Sequence, residues 1–244
     1  MLRLISMIFS LVTVVIVSAI ADIMPLNGKT TVEIANRLPV YFTPASYVFG
    51  ISAILYVLLA FWLYGFWRNK EKDNLSLLKK RGYLFNLSAM LNVAWVFLWH
   101  YELFNWTVFV MAALLVTVAA LYFTYPKNEN LLLQRIPISV YLGWVIVTFF
   151  INSNYLLTLR EWSGWGLSAS LWTVIFLTIA TAIALHFMYH HRDLALNSVF
   201  IWALIGIAAK NGFDSLFISS AALFLTAVIG VGFFFVRNNP TSTN

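Results

Sequence analysis

Three groups of residues in this 244-residue chain have types and spacings that could do chemistry. His186, His190 and His191 spell H-x-x-x-H-H, the spacing used by membrane di-iron desaturases and hydroxylases. His186 and His190 would share a helix face at i, i+4, which suits metal ligation. Such a centre gathers many nitrogen and carboxylate ligands on one side of the membrane, and this chain has four histidines. The fourth, His100, belongs at the opposite end by the charge count below, and Asp193 and Glu129 are the only nearby carboxylates worth naming. The cluster therefore reads as an interfacial helix end, whose cations favour the C-terminal dipole and an anionic leaflet. The chain lacks cysteine, which excludes disulfides, thiol catalysis and thiolate metal sites. It also lacks a phosphate loop, a hydrolase elbow and a zinc-protease helix motif. No catalytic residue and no metal ligand is assigned, and no cofactor is required.

The second and third groups are aromatic and amide stripes. Ser88, Asn92, Trp95 and Trp99 fall on one helical face, and so do Tyr141, Trp144, Thr148 and Asn152. A further run, Tyr47, Phe49, Ser52 and Tyr56, follows Pro44, whose ring suits the first turn of a helix. An isolated intramembrane Asn reads as interhelical glue worth about 0.6–2 kcal/mol. Two matched Asn-plus-Trp faces read equally well as the wall of an apolar pocket with a few aimed polar groups.

Membrane spans must position these stripes. Hydrophobic residues make up 61% of the chain and charged ones 10%, too few for the polar shell of a soluble domain. Apolar runs long enough to cross about 30 Å of hydrocarbon lie near 4–24, 45–67, 82–101, 105–125, 132–156, 168–189, 194–210 and 214–236. With the N-terminus inside, eleven of the fifteen Lys and Arg fall on the inner side, among them Lys70, Lys72, Lys127 and Arg237. This bias puts both termini in the cytoplasm. The net charge of +6 is thus a topology signal, and nucleic acid is not an expected partner. The 18-residue apolar run 4–21 is longer than a signal-peptide core, so the first span reads as retained, despite the cleavage-like triplet Ala19-Ile20-Ala21. The Pro-bounded segment 25–43, the longest external connection, is a candidate lid. Asp22, at an outer span end within reach of water, does not read as a proton relay, and Lys210 with Asp214 reads as a local ion pair of small value.

Leu91-Asn92-Val93-Ala94-Trp95 resembles the third-helix motif of the tryptophan-rich sensory protein family (TspO/MBR, which includes the translocator or peripheral benzodiazepine receptor proteins). Tyr141-Leu142-Gly143-Trp144, with Asn152 eight residues after the Trp, resembles its fifth-helix motif. Phe42-Thr43-Pro44 through Tyr47-Val48-Phe49-Gly50 and Leu55-Tyr56 resembles the start of its second helix. The resemblance covers 1–157, and 158–244 add three spans that short members lack. The chain departs from the pattern where Ala45 follows Pro44 in place of paired prolines, and where Ser52 stands for an expected Trp. The spacing from Phe49 to Tyr56 is also one residue short.

The resemblance implies a TspO-like five-helix bundle (1–157) and a three-helix membrane extension (158–244) within an all-α polytopic membrane protein of about eight transmembrane helices. It implies a pocket open toward the first external loop, binding tetrapyrroles such as protoporphyrin, sterols or synthetic ligands. Asn92, Trp95, Trp144 and Asn152 would lie near it, with Tyr47, Phe49 and Tyr141 around its mouth. The expected function is that of a membrane ligand-binding, sensory or receptor protein for a tetrapyrrole- or sterol-like molecule. A transporter of a small hydrophobic or aromatic solute is the first alternative, and a porphyrin-degrading or metal-dependent membrane enzyme the second. Expected partners are the lipid bilayer, a hydrophobic small molecule and, as a candidate, a second copy of the chain. The expected location is a bacterial plasma membrane.

Overall fold

The computed structural model describes residues 2–68, 74–126 and 131–238, with side chains to 236. Lys70, Lys72, Lys127, Glu129 and the side chain of Arg237 lie outside the described residues. The described chain is helical: α1 (Leu2–Ile23), a short α2 (Thr31–Asn36), α3 (Ile51–Arg68), α4 (Leu75–His100), α5 (Phe104–Tyr122), α6 (Arg135–Leu159), α7 (Ala169–His191), α8 (Leu194–Asn211) and α9 (Leu216–Asn238). Among the described residues, eight helices are long and apolar enough to cross a bilayer. They fall where the apolar runs predict, except that α4 begins at Leu75, ahead of the predicted start at 82. Asn74 caps that helix, its side chain accepting the Ser76 N–H at 2.8 Å.

Large apolar side chains such as Phe9, Phe109 and Phe224 stand exposed on the helix surfaces, as a lipid-facing surface requires. Helix α6 is the hub. Its residues 137–148 are buried on every turn, against α3 and α5 on one side and α8 on the other. Gly143 makes the α6–α8 approach possible, because a Cβ there would meet the Leu196 carbonyl oxygen at 3.1 Å and Val199 Cβ at 3.2 Å.

Helix α1 is tied into the bundle by polar contacts. Ser10 donates to Asn86 Oδ1 at 3.0 Å, Asn86 Nδ2 donates to Ser6 at 3.0 Å, and the Tyr56 hydroxyl donates to Ser18 at 2.8 Å. Helix α8 is tied to the segment leading into α3. The Ala45 N–H donates to the Gly206 carbonyl at 3.0 Å and the Trp202 indole to the Val48 carbonyl at 3.2 Å. Asn211 donates to the Tyr41 carbonyl at 3.0 Å. Lys210, expected to pair with Asp214, instead donates to Asn36 Oδ1 at 2.7 Å. Helix α8 ends at Asn211 and the chain turns at Gly212 with φ +46°, so Lys210 and Asp214 do not sit on one continuing helix face.

At the α7–α8 turn a charge pair is buried. Arg135 Nη2 lies 3.2 Å from Asp193 Oδ2, each side chain 1% exposed. The same carboxylate oxygen accepts from Tyr122 at 2.8 Å and Ser139 at 2.6 Å, and its second oxygen caps α8 by accepting the Leu196 N–H at 2.9 Å. Arg135 also donates to the Tyr122 hydroxyl and, at 3.0 Å, to the His191 carbonyl. This network joins α5, α6, α7 and α8 at the end of the bundle away from residues 25–43.

Candidate functional site

Between α1, α3, α4 and α6 lies a cavity of about 630 Å³, with Met111 and Leu114 of α5 at its back. That volume is in the range of small-molecule sites, about 300–1,000 Å³. All four residues of the α4 stripe line it, as do all four of the α6 stripe and Phe49, Ser52 and Tyr56. The 3.6-residue period explains the outcome, since residues spaced i, i+4, i+7 and i+11 keep one bearing along a helix and here both bearings meet.

Six of the seven residues assigned from sequence thus border one space: Phe49, Asn92, Trp95, Tyr141, Trp144 and Asn152. Tyr47 does not. It sits in the 3-10 turn Ser46–Gly50, where side chains three apart eclipse. Ser46 and Phe49 therefore turn toward the cavity while Tyr47 turns away. Its ring packs edge-on against Trp202 of α8 at 5.2 Å and remains 48% exposed. The resemblance sets Tyr47 beside Phe49 at the mouth, but residues two apart do not share a face in a 3-10 turn.

Within the wall the groups have different duties. The Trp95 indole donates to Asn152 Oδ1 at 2.9 Å, and Asn152 Nδ2 donates to the Thr148 carbonyl at 2.8 Å. That chain fastens α4 to α6 and fixes the Trp95 ring, which stacks on Trp99 at 5.8 Å. Phe49 meets Trp144 edge-to-face at 6.0 Å, linking the start of α3 to α6. Asn92 and the Tyr141 hydroxyl stand beside Ser88 and border the unfilled volume.

Residues 25–43 lie across one end. Thr30, Thr31, Val32 and Ala35 contribute to the cavity wall. Helix α2 is started by a capping box, in which Glu33 N–H donates to Thr30 Oγ1 at 3.2 Å and Thr30 N–H to Glu33 Oε2 at 2.7 Å. These contacts hold the Glu33 carboxyl below its usual range. The segment is pinned at both flanks by Glu102, in the α4–α5 turn, whose Oε1 takes Lys29 at 2.9 Å and Arg37 at 2.6 Å. The Lys29 hydrogen bond, with Arg37 adding to it against the opposing effect of burial, holds the Glu102 carboxyl below its ordinary range. The Trp99 indole donates to the Thr31 carbonyl at 3.3 Å and Asn27 to the His100 carbonyl at 3.1 Å.

Sequence reasoning missed the share of α1 in this wall. Leu11, Val14, Ser18 and Asp22 line the cavity, and the polar pair Ser18–Asp22 at i, i+4 was the available signal. At the other end, the His186 and His190 rings lie with centroids 4.6 Å apart, tilted by 41°. Among the described residues no three His, Asp or Glu side chains gather in a metal-holding arrangement.

A comparison with curated proteins and one with solved structures found no match. The family model described as TSPO-like protein matches residues 4–235, running through both 1–157 and 158–244. A match over nearly the whole chain, with eight apolar helices and two motif stripes on one cavity, fixes the assignment: the chain is a polytopic integral membrane protein and belongs to the TSPO-like protein family.

Proposed function

We propose that the protein captures a hydrophobic, tetrapyrrole- or sterol-like ligand reversibly in the cavity between α1, α3, α4 and α6, as a sensory or receptor protein rather than as an enzyme. The observation that carries this reading is the unfilled volume of about 630 Å³ walled by Trp95, Trp99, Trp144 and Phe49 and bordered by Asn92 and Tyr141. Aromatic faces offer broad contact to a flat or ring-fused molecule, and the amide and phenol can aim at its polar substituents. Phe49, Asn92, Trp95, Tyr141, Trp144 and Asn152 are the ligand-binding residues of this reading. Asn152 acts by holding the Trp95 ring in place.

Residues 25–43 close the cavity as a lid, with Glu102 as its latch. The lysine and arginine distribution supports a cytoplasmic location for both termini, with the lid on the far side of a bacterial plasma membrane. Helices α7–α9 serve as a buttress, since α8 holds the lid's trailing segment at Asn36, Tyr41, Ala45 and Val48.

Titration of the purified protein in detergent with protoporphyrin, read by intrinsic Trp fluorescence, tests the reading. Saturable quenching that weakens in Trp95→Phe/Trp144→Phe is the expected result. Absence of saturation, or quenching indifferent to those substitutions, overturns it.

A further inference from the structure

Outside the cavity, the connection from α6 to α7 presents a second feature at the bilayer boundary. Four of the residues 161–166 are left-handed: Glu161 at φ +50°, Gly164 at +62°, Trp165 at +51° and Gly166 at +85°. The glycines adopt this backbone freely, whereas a bulky Trp held there is strained. Burial does not offset that strain, because Trp165 is 80% exposed.

The turn builds a tryptophan triad. The Trp172 indole donates to the Gly164 carbonyl at 2.7 Å, and a Cβ at Gly164 would meet Trp172 Cδ1 at 3.1 Å. The Trp162 ring centroid lies 4.9 Å from that of Trp172 and 5.4 Å from that of Trp165, and Trp165 lies 5.7 Å from Trp172. Interplanar angles of 54°, 78° and 68° set the three rings steeply to one another. Trp162 and Trp165 have no acceptor for their indole N–H groups among the described residues. Arg160 and Glu161, immediately before the triad, are exposed and form no ion pair among the described residues.

Indole faces attract a cation more strongly than other aromatic rings, and free N–H and guanidinium groups attract a phosphate. The two side by side suit a zwitterionic headgroup. The setting makes that headgroup a lipid's. The lysine and arginine distribution puts this turn at the outer end of two spans, where Trp rings meet headgroups. Leu167 and Leu171 then continue an exposed apolar surface from the triad onto α7.

We propose that Trp162, Trp165 and Trp172 form a headgroup site for a zwitterionic phospholipid of the outer leaflet, the rings receiving its ammonium and Arg160 its phosphate. None of these four residues lines the cavity, so this site and the proposed ligand site stand or fall separately.

Native mass spectrometry of the full chain in a maltoside detergent counts bound lipid, with dioctanoyl phosphatidylcholine, phosphatidylethanolamine and phosphatidylglycerol as probes. Lipid adheres elsewhere on every variant, so the site is read as the difference between wild type and Trp165→Leu, which keeps apolar bulk and removes the ring. The expected result is a loss of about threefold or more in affinity for both zwitterionic lipids in Trp165→Leu, a smaller loss in Trp165→Phe, and no change for phosphatidylglycerol. Arg160→Gln is expected to weaken the zwitterionic lipids about two- to threefold. Free phosphocholine at the same concentration is expected not to compete.

Equal loss of phosphatidylglycerol, or equal losses in Trp165→Leu and Trp165→Phe, overturns headgroup recognition and leaves an apolar anchor. Unchanged zwitterionic binding in Trp165→Leu removes the site, and a dimer that Trp165→Leu dissociates assigns the triad to a second copy of the chain. Competition by free phosphocholine overturns the lipid as occupant, and unchanged binding in Arg160→Gln overturns the role given to Arg160.

Discussion

Two polar regions inside this bundle look alike in composition and differ in what their polar groups face. Around Asp193, charged and hydroxyl groups from α5, α6 and the α7–α8 turn are paired with one another, each side chain buried. Between α1, α3, α4 and α6, Asn92, Tyr141 and Ser88 border a volume that no side chain occupies. The first region spends its polarity on holding helices together. The second leaves some of it facing that volume, where the proposed function puts a ligand. Polar residues at membrane depth are therefore sorted by their surroundings, and residue type alone does not separate a seam from a site.

The largest effect is expected where the seam is broken. Asp193→Ala takes away the carboxylate that Arg135, Tyr122 and Ser139 share and that caps α8, at a cost of about 3–5 kcal/mol. Thermal unfolding in detergent should show a large fall in midpoint, while the folded fraction still binds ligand with unchanged affinity. A variant that loses ligand binding yet keeps its midpoint would erase the distinction between the two regions.

Next comes the contact between α8 and the lid's trailing segment. A Cβ at Gly206 would lie 2.1 Å from Val48 Cγ2 and 3.2 Å from Pro44 Cβ, so Gly206→Ala must push the segment leading into α3. The overpacking cost is about 1–3 kcal/mol. Ligand affinity should fall as well, because Phe49 and Ser52 follow that segment. Unchanged affinity would separate α8 from the site.

In the cavity wall, Asn152→Ala removes the acceptor of the Trp95 indole, and a loss of about 1 kcal/mol in stability is expected. Asn92, by contrast, borders the unfilled volume, and Asn92→Leu should act mainly on ligand affinity. Midpoints and titrations on the two variants sharpen the division between fastening and ligand-facing groups.

The smallest effect belongs to the lid latch. Glu102→Gln removes an ion pair shared by two partly exposed cations, worth about 0.2–1 kcal/mol. It should speed ligand dissociation more than it changes the midpoint. Because the folded protein holds the Glu102 carboxyl below its ordinary value of 4.5, the latch's contribution is present above that value. It is lost as pH falls through the lowered one. Dissociation should therefore quicken on acidification below the ordinary carboxylate range in the wild type and not in Glu102→Gln.

Much of this was legible in the residues. Long apolar runs located eight helices, and the i, i+4, i+7 and i+11 spacings set the two stripes on faces that meet. The resemblance puts Tyr47 at the pocket mouth, whereas the 3-10 turn Ser46–Gly50 sets it against Trp202. The spacing of Lys210 and Asp214 misled as well, because the helix carrying Lys210 stops before Asp214. Asp193 and Arg135 lie 58 residues apart, and no local pattern relates a capping carboxylate at one turn to an arginine at the start of another helix. Ser18 and Asp22 were visible as a polar pair, but Ser6, Ser10 and Thr13 share their span, and small polar residues in a membrane helix read first as interhelical contacts.

The absence of native cysteine allows a direct test of the open cavity against the paired seam. Ser52→Cys places a thiol on the cavity wall and Ser139→Cys places one beside Asp193, each read by alkylation in detergent with and without a saturating hydrophobic ligand. Ser52→Cys is expected to react and to be protected by ligand, and Ser139→Cys to stay unreactive throughout. A thiol at 52 as silent as the one at 139, or one that reacts equally with ligand present, would contradict this.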